Sequence, residues 1–336
     1  MLEADVEVDR RDFTVRAELC VQPAERLALF GPSGAGKTTL LEVIAGLVRP
    51  RRARITLSGR VLTATERPRT ALPPWRRRVG LLRQDPGLFP HLSVRDNLGY
   101  GPAADRSGAE LVQLAAVLGI GELLAAMPAR LSGGQAHRVA LGRLLLAHCD
   151  ALLLDEPYAG LDASLRRVLT TMVRDLVTVR RVPSVLVVHE LAEAQAFADR
   201  LAVLDRGEVL QAGAPDEVVR RPATRRVAEL VGYQGFVPAA VGSQAGPVAG
   251  IHPERIAAGA QQRRGLVLTG AVLAVRPARA GWEAELQVAD GVVLCHLADR
   301  PAPPGSELTV TALDPPWFGP DGAAMVRPPR DGQAGA

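Results

Sequence analysis

The sequence predicts an α/β domain of buried strands alternating with helices, followed by a small all-β domain. Three observations lead there. Short, fully apolar runs at 27–30, 79–82, 151–154 and 185–188 alternate with stretches of helical spacing, as in strands covered on both faces and joined by helices. Each run ends in a glycine-rich or polar segment, the place where an open α/β sheet presents its ligand-binding groups. After Gly232 the helical spacing gives way to alternating runs separated by Gly and Pro, the pattern of a small barrel-like β domain. The expected division is therefore 1–232 and 233–326, with 327–336 a disordered tail.

Bulk properties agree. A chain of 336 residues with 47% hydrophobic residues can bury two or three cores. A formal charge of +4 is modest for this length and does not imply nucleic-acid binding. No apolar run approaches the ~20 residues of a membrane-spanning helix. The opening Met1-Leu-Glu-Ala-Asp5 carries acids where a secretory signal has a basic region, which argues against such a signal. Cys20, Cys149 and Cys295 are far apart and read as free thiols in a reducing compartment.

Taken in order, Val6 and Val8, then Phe13, Val15, Ala17, Leu19 and Val21, alternate with polar neighbours and predict an antiparallel pair. Residues 27–30 form a buried strand feeding Gly31-Pro32-Ser33-Gly34-Ala35-Gly36-Lys37-Thr38-Thr39, and a helix follows over 39–47. The glycines let backbone amides turn inward around phosphate oxygens, and the helix adds its free N–H groups. Lys37 is placed to reach the β- and γ-phosphates and Thr38 to offer its hydroxyl to Mg²⁺. Ser58-Gly59 marks a turn between short strands, and 68–78, rich in Pro and Arg, reads as loop. The strand at 79–82 leads to Gln84, which faces the catalytic crevice. Helical spacing returns at 94–98 and 111–118.

Leu131-Ser132-Gly133-Gly134-Gln135 precedes a helical run over 139–147. Ser132 suits a helix cap; such a turn alone is as often purely structural. The strand at 151–154 ends in Asp155-Glu156, two adjacent acids with two tasks. Asp155 can hold a water bound to Mg²⁺, and Glu156 can polarise the attacking water. The strand at 185–188 runs into His189, either a core histidine or, beside a phosphate site, a γ-phosphate contact. Arg206-Gly207-Glu208 signals a hairpin, and short helices close the domain at 214–219 and 223–231. Farther on, alternation predicts strands at 266–268, 271–275, 282–288, 292–297 and 308–313.

Five stretches thus occur in order: the phosphate loop, Gln84, Leu131 to Gln135, Asp155-Glu156 and His189. Together they resemble the nucleotide-binding subunit of ATP-binding-cassette (ABC) transporters, and Leu-Ser-Gly-Gly-Gln is the most specific of them. The resemblance covers residues 1 to about 230. The remainder is similar to the regulatory β domain (OB- or TOBE/MOP-type) on ATPases of bacterial importers, entered at 251–256. It implies a P-loop ATPase with a RecA-like core, an antiparallel β subdomain and a helical subdomain at about 86–150. Gly31 to Thr39 would be the Walker A loop binding ATP. Gln84 would touch Mg²⁺ or the attacking water, and Asp155 and Glu156 would be the Walker B aspartate and general base. Asp162 would belong to the D-loop and His189 would be the switch histidine. Ser132, Gly133, Gly134 and Gln135 would bind the γ-phosphate of ATP held by a second copy. A head-to-tail homodimer is implied, with two transmembrane permease subunits and, indirectly, a solute-binding protein, at the cytoplasmic face of the membrane.

Departures from the family pattern are visible. The family usually places an aromatic residue upstream of the loop to stack on adenine; Phe13 is the aromatic near that place, and it fits stacking and a core position equally. Gly160 replaces a usual alanine before Leu161-Asp162. His137 stands where the family has a polar residue and is expected at the surface or an interface. Local stretches such as 44–47, 58–62, 78–80 and 84–91 resemble molybdate importer ATPases. Molybdate or tungstate is thus the expected solute, with iron, sulfate, sugar or polyamine import as alternatives. A non-transport ABC ATPase would carry coiled-coil insertions or tandem halves, and an inactive binding protein would have lost Lys37, Asp155, Glu156 or His189; none of these is the case.

Overall fold

A computed structural model describes residues 1–101, 108–158, 160–239, 246–260, 265–288 and 291–326. The expected tail at 327–336 and Ala159 lie outside the described residues. The chain forms two compact units, Met1–Pro215 and Asp216–Ala336. The change of composition after Gly232 falls within the second.

The first unit is built on one sheet of eleven strands. In chain order these are β1 (Leu2–Asp9), β2 (Thr14–Val21), β3 (Arg26–Phe30), β4 (Arg52–Leu57), β5 (Arg60–Ala64), β6 (Thr70–Ala71), β7 (Val79–Leu82), β8 (Ala151–Asp155), β9 (Ser184–Val188), β10 (Arg200–Asp205) and β11 (Glu208–Gly213). They lie in the order β6-β5-β4-β1-β2-β11-β10-β3-β9-β8-β7. Strands β10, β3, β9, β8 and β7 run parallel, each to its neighbour. Their apolar runs are continuous because both faces are covered; β8 and β9 are buried at every position. The other end is antiparallel, and β1 alternates buried and exposed residues because only one of its faces meets the core.

Helix α1 (Lys37–Ala45) follows the phosphate loop and buries Leu40, Leu41, Val43 and Ile44. It stops at Gly46, whose left-handed φ of 85° suits glycine. The stretch expected to be loop holds β6 and a one-turn helix, α2 (Pro74–Arg77). The reason is Arg77, which is only 4% exposed. Its guanidinium donates to the carbonyls of Val43 and Ile44 at the end of α1, to Leu72 O, and to the Thr63 hydroxyl. One arginine thus caps α1 and ties it to α2 and β5, a long-range role that local composition does not reveal.

Helices α3 (Val94–Leu98), α4 (Ala109–Val117) and α5 (Gly133–Leu146) lie between β7 and β8 in sequence. A Cβ at Gly142 of α5 would meet Leu98 at 2.6 Å and Leu118 at 2.8 Å, so the small residue permits close helix packing. Helices α6 (Ala163–Arg180) and α7 (Leu191–Phe197) follow β8 and β9.

In the second unit, α8 (Pro215–Arg220, whose first residue belongs to the first unit) and α9 (Arg225–Leu230) precede the strands, and Tyr233 ties them in by donating its hydroxyl to Val219 O at 2.9 Å. The strands are β12 (Gly235–Pro238), β13 (Val248–Ile251), β14 (Ile256–Ala258), β15 (Gly265–Ala278), β16 (Gly281–Val288), β17 (Gly291–Leu297), β18 (Glu307–Leu313), β19 (Trp317–Phe318) and β20 (Ala324–Met325). They form a four-stranded sheet, β12-β13-β19-β20, and a five-stranded sheet, β14-β18-β15-β16-β17. The two strands expected at 266–268 and 271–275 are one. β15 continues through both by pairing with β18 and then β16, with an irregularity between Val272 and Ala274. The expected gap, Thr269-Gly270, is itself paired, with Thr309 and Leu308 of β18. No helix among the described residues is long and apolar enough to cross a membrane.

Candidate active site

Topology decides which groups meet. The carboxyl ends of β3, β9, β8 and β7 lie side by side in that order. They release the phosphate loop, His189, Asp155-Glu156 and Gln84. Because β8 sits between β9 and β7, Glu156 falls between the other two. Its Oε1 accepts from Gln84 Nε2 and is also in hydrogen-bond contact with His189 Nε2. Glu156 takes a left-handed φ of 52°, uncommon for a residue with a side chain. Its N–H still bonds Val187 O at 3.3 Å. A backbone turned this sharply at a strand end is the kind of local cost that functional sites carry.

The loop before α1 encloses Lys37, which is 6% exposed. Its ammonium donates to Gly31 O at 2.7 Å and Pro32 O at 2.9 Å. Burial pushes Lys37 below its ordinary range, against the pull of Glu156 and Asp155. A group so desolvated gains strongly from an anion placed beside it. Two glycines are required here. A Cβ at Gly31 would stand 2.0 Å from Leu204 O, and Gly36 has a φ of 103° with Val15 2.6 Å from a Cβ. Gly207, in the β10–β11 turn, braces the loop from below by donating to Ala35 O at 3.0 Å.

Thr38 donates its hydroxyl to Asp155 Oδ2 at 2.8 Å. Asp155 Oδ1 is buried and has no hydrogen-bond partner among the described residues. Burial pushes this carboxyl above the ordinary carboxylate range; the Thr38 bond opposes the rise and Glu156 adds to it. A buried, unpaired carboxylate oxygen is costly. The Thr38 and Asp155 oxygens suit a small divalent cation with hard oxygen ligands, so the residues fit Mg²⁺. Gln84 presents its amide nitrogen to Glu156 rather than to this pair.

A cleft of about 970 Å³ opens over these groups, lined by 9–13, 33–39, Gln84, Glu156 and His189. Such a volume is that of a small-molecule site. Phe13 lines it and also packs, partly buried, against the core of the sheet.

The family described as ABC transporter matches residues 15–159. The chain carries an ABC transporter domain. It is 47% identical over 191 residues to a molybdenum import ATP-binding protein of Escherichia coli, covering 57% of this chain and 54% of that protein. An Fe(3+) ions import ATP-binding protein of Pseudomonas fluorescens is 42% identical over 226 residues, covering 66% and 62%. A sulfate/thiosulfate import ATP-binding protein of Chromobacterium violaceum is 42% identical over 228 residues, covering 67% and 60%. The chain therefore spans less than two thirds of each of these relatives. Among solved structures, an ATP-binding subunit of an ABC transporter matches with a TM-score of 0.55 and 25% identity, over 69% of this chain and 95% of that one.

Two predicted groups are not among the residues lining the cleft. Ser132 caps α5 in a reciprocal pair: its N–H donates to Gln135 Oε1 at 2.9 Å, and its hydroxyl accepts from Gln135 N at 3.3 Å. Gly133 and Gly134 form the first turn of that helix. Asp162 caps α6, accepting from the N–H groups of Ser164 and Leu165 at 2.9 Å, which hold its carboxyl below the ordinary range. Neither group lines the cleft.

His137 departs from expectation. It is 6% exposed, not a surface residue, and its Nε2 is buried without a hydrogen-bond partner among the described residues. Burial pushes its imidazole below the ordinary range. It lies on α5, whose other buried residues include Val139, Ala140 and Leu141.

The sequence reading also missed residues that build the site from outside. Asn97, fully buried, donates to Phe89 O, Leu92 O and Ser93 O and accepts from Phe89 N, so one amide fixes the segment after Gln84. Arg10 and Arg11 line the cleft. Their place in a two-acid, two-arginine turn before Phe13 was the available signal.

Proposed function

We propose that this chain is the ATP-hydrolysing subunit of an ABC importer. The observation that carries the proposal is the contact of Glu156 with both Gln84 and His189 in a cleft that the loop of Lys37 also lines. ATP would lay its β- and γ-phosphates in the loop, where Lys37 exchanges two carbonyl partners for phosphate oxygens. Glu156 would take the proton of a water attacking the γ-phosphorus as the bond to the β-phosphate oxygen breaks. Gln84 and His189 would orient that carboxylate and the water. Mg²⁺ held by the Thr38 hydroxyl and, through water, by Asp155 would neutralise charge on the phosphates when bound.

Ser132 to Gln135 and Asp162 would act on the nucleotide of a second copy, since they lie outside this chain's own cleft. ATP would then join two copies and hydrolysis would release them. Two permease subunits would receive the motion through the segment after Gln84, at the cytoplasmic face of the membrane. Uptake of molybdate or tungstate is the reading we favour, because the molybdenum import relatives reach 44–47% identity. Iron import relatives at 39–42% and a sulfate/thiosulfate relative at 42% support the second reading, import of those ions. The test is ATP-driven uptake in vesicles carrying this chain with its permease and solute-binding partners. Accumulation of molybdate but not of sulfate or ferric ion supports the first reading; ATP turnover with none of them taken up overturns the import assignment.

A further inference from the structure

His189 stands between two elements, β9 and α7. On its amino side, β9 is buried at every position up to Val188. On its carboxyl side comes α7, seven residues long, whose N-cap residue, Glu190, makes no side-chain cap. A helix this short is marginal alone, and an uncapped first turn takes its position from what holds it from outside. Ala194 and Phe197 bury the later part of α7. Its start carries Glu190 and Glu193, two acids that the chemistry above does not use.

Both acids meet one guanidinium, that of Arg166 on α6. Its Nη1 lies 3.3 Å from Glu190 Oε2 and 3.0 Å from Glu193 Oε1. Its Nη2 reaches Leu161 O at 3.5 Å, and its backbone N–H donates to Asp162 O at 3.0 Å, so the residue is anchored in the first turn of α6. Burial pushes the Glu193 carboxyl above the ordinary carboxylate range, and Arg166 opposes the rise. Arg166 Nε is buried with no hydrogen-bond partner among the described residues, a cost that the two carboxylates offset. A cation held between carboxylates three residues apart fixes both where the start of α7 stands and how it is rotated. β9 thus sets one side of His189, and the Arg166 clamp sets the other.

We infer that Arg166 is a positioning residue for hydrolysis: by fixing the start of α7 through Glu190 and Glu193, it holds His189 in contact with Glu156. The part about hydrolysis rests on the proposed function; the hold on His189 does not. The experiment therefore has two readouts on the full chain: ATP turnover, and the histidine ring signals in 1H–15N spectra, assigned with His189→Ala. In Arg166→Met the ring-nitrogen signals of His189 move towards those of the exposed His148, which themselves stay in place. In the same variant kcat falls about ten- to a hundredfold while KM stays within about twofold. Arg166→Lys recovers part of both, since an ammonium supplies the charge without the planar fork. Glu190→Ala, at an exposed position, moves the His189 signals the same way by less, and it carries the test if Arg166→Met does not fold. Unmoved His189 signals in Arg166→Met, or in Glu190→Ala where that variant stands in, overturn the inference. So does a moved signal with kcat unchanged, or a loss confined to KM. If the wild type hydrolyses no ATP, the proposed function falls and the role in hydrolysis with it, while the ring signals still decide whether Arg166 holds His189.

Discussion

Removing Arg77 tests whether one buried side chain anchors the helix that carries Lys37 and Thr38. In Arg77→Met the stem is largely kept and the guanidinium is lost. Val43 O retains Gly46 N at 3.1 Å, but Ile44 O and Leu72 O lose the donors that reach them at 2.8 Å. Each stranded carbonyl costs about 1–3 kcal/mol, giving about 2–6 kcal/mol for the pair. Relief from burying a guanidinium, whose ionisation is already disfavoured there, offsets part of this. A net loss of about 3 kcal/mol is expected. For a unit of this size that lowers Tm by about 6–12 °C, read by scanning calorimetry without nucleotide. A loss within about 0.5 kcal/mol would show that solvent or neighbouring amides replace the arginine, and the capping argument would be wrong.

Three further outcomes follow from the site. Asp155→Asn removes the desolvated charge while keeping an acceptor for Thr38, so the nucleotide-free protein should melt higher as Mg²⁺-dependent ATP binding falls; a lower Tm would contradict the burial argument. Acidification should weaken Mg²⁺-dependent ATP binding at a pH above the ordinary carboxylate range, because the folded carboxyl of Asp155 is raised. The sign for stability is opposite: a carboxyl raised on folding favours the folded state as pH falls through its pKa. Ser132→Arg should abolish hydrolysis in the assembled complex, and mixing it with Lys37→Ala should restore part, since one mixed site joins an intact Lys37 to an intact Ser132; no recovery on mixing would end the two-copy reading.

Much of the core was legible because its signals are local. The apolar runs of β8 and β9 are buried at every position, so their ends, Asp155 and the residue before His189, could be placed without knowing the strand order. Their mutual contact could not: that Glu156 lies between Gln84 and His189 follows from β8 lying between β7 and β9, which no spacing encodes. Arg77 and Gly207 were illegible because they serve backbone groups distant in sequence, at Val43 and Ile44 and at Ala35; Asn97 serves the nearby Phe89, Leu92 and Ser93, but no residue spacing marks that loop. His137 misled because a polar residue beside Arg138 reads as exposed, while it stands on a face of α5 that is buried. β15 read as two strands because Thr269-Gly270 interrupts its apolar run, although pairing with β18 continues through both residues.

The central claim is that Glu156 activates the water that attacks ATP. Hydrolysis and binding by Glu156→Gln, measured on the same preparation, test it most directly. The account predicts ATP affinity within about threefold of the wild type and turnover reduced at least about a hundredfold, the range of general-base catalysis. Turnover within tenfold of the wild type would contradict it.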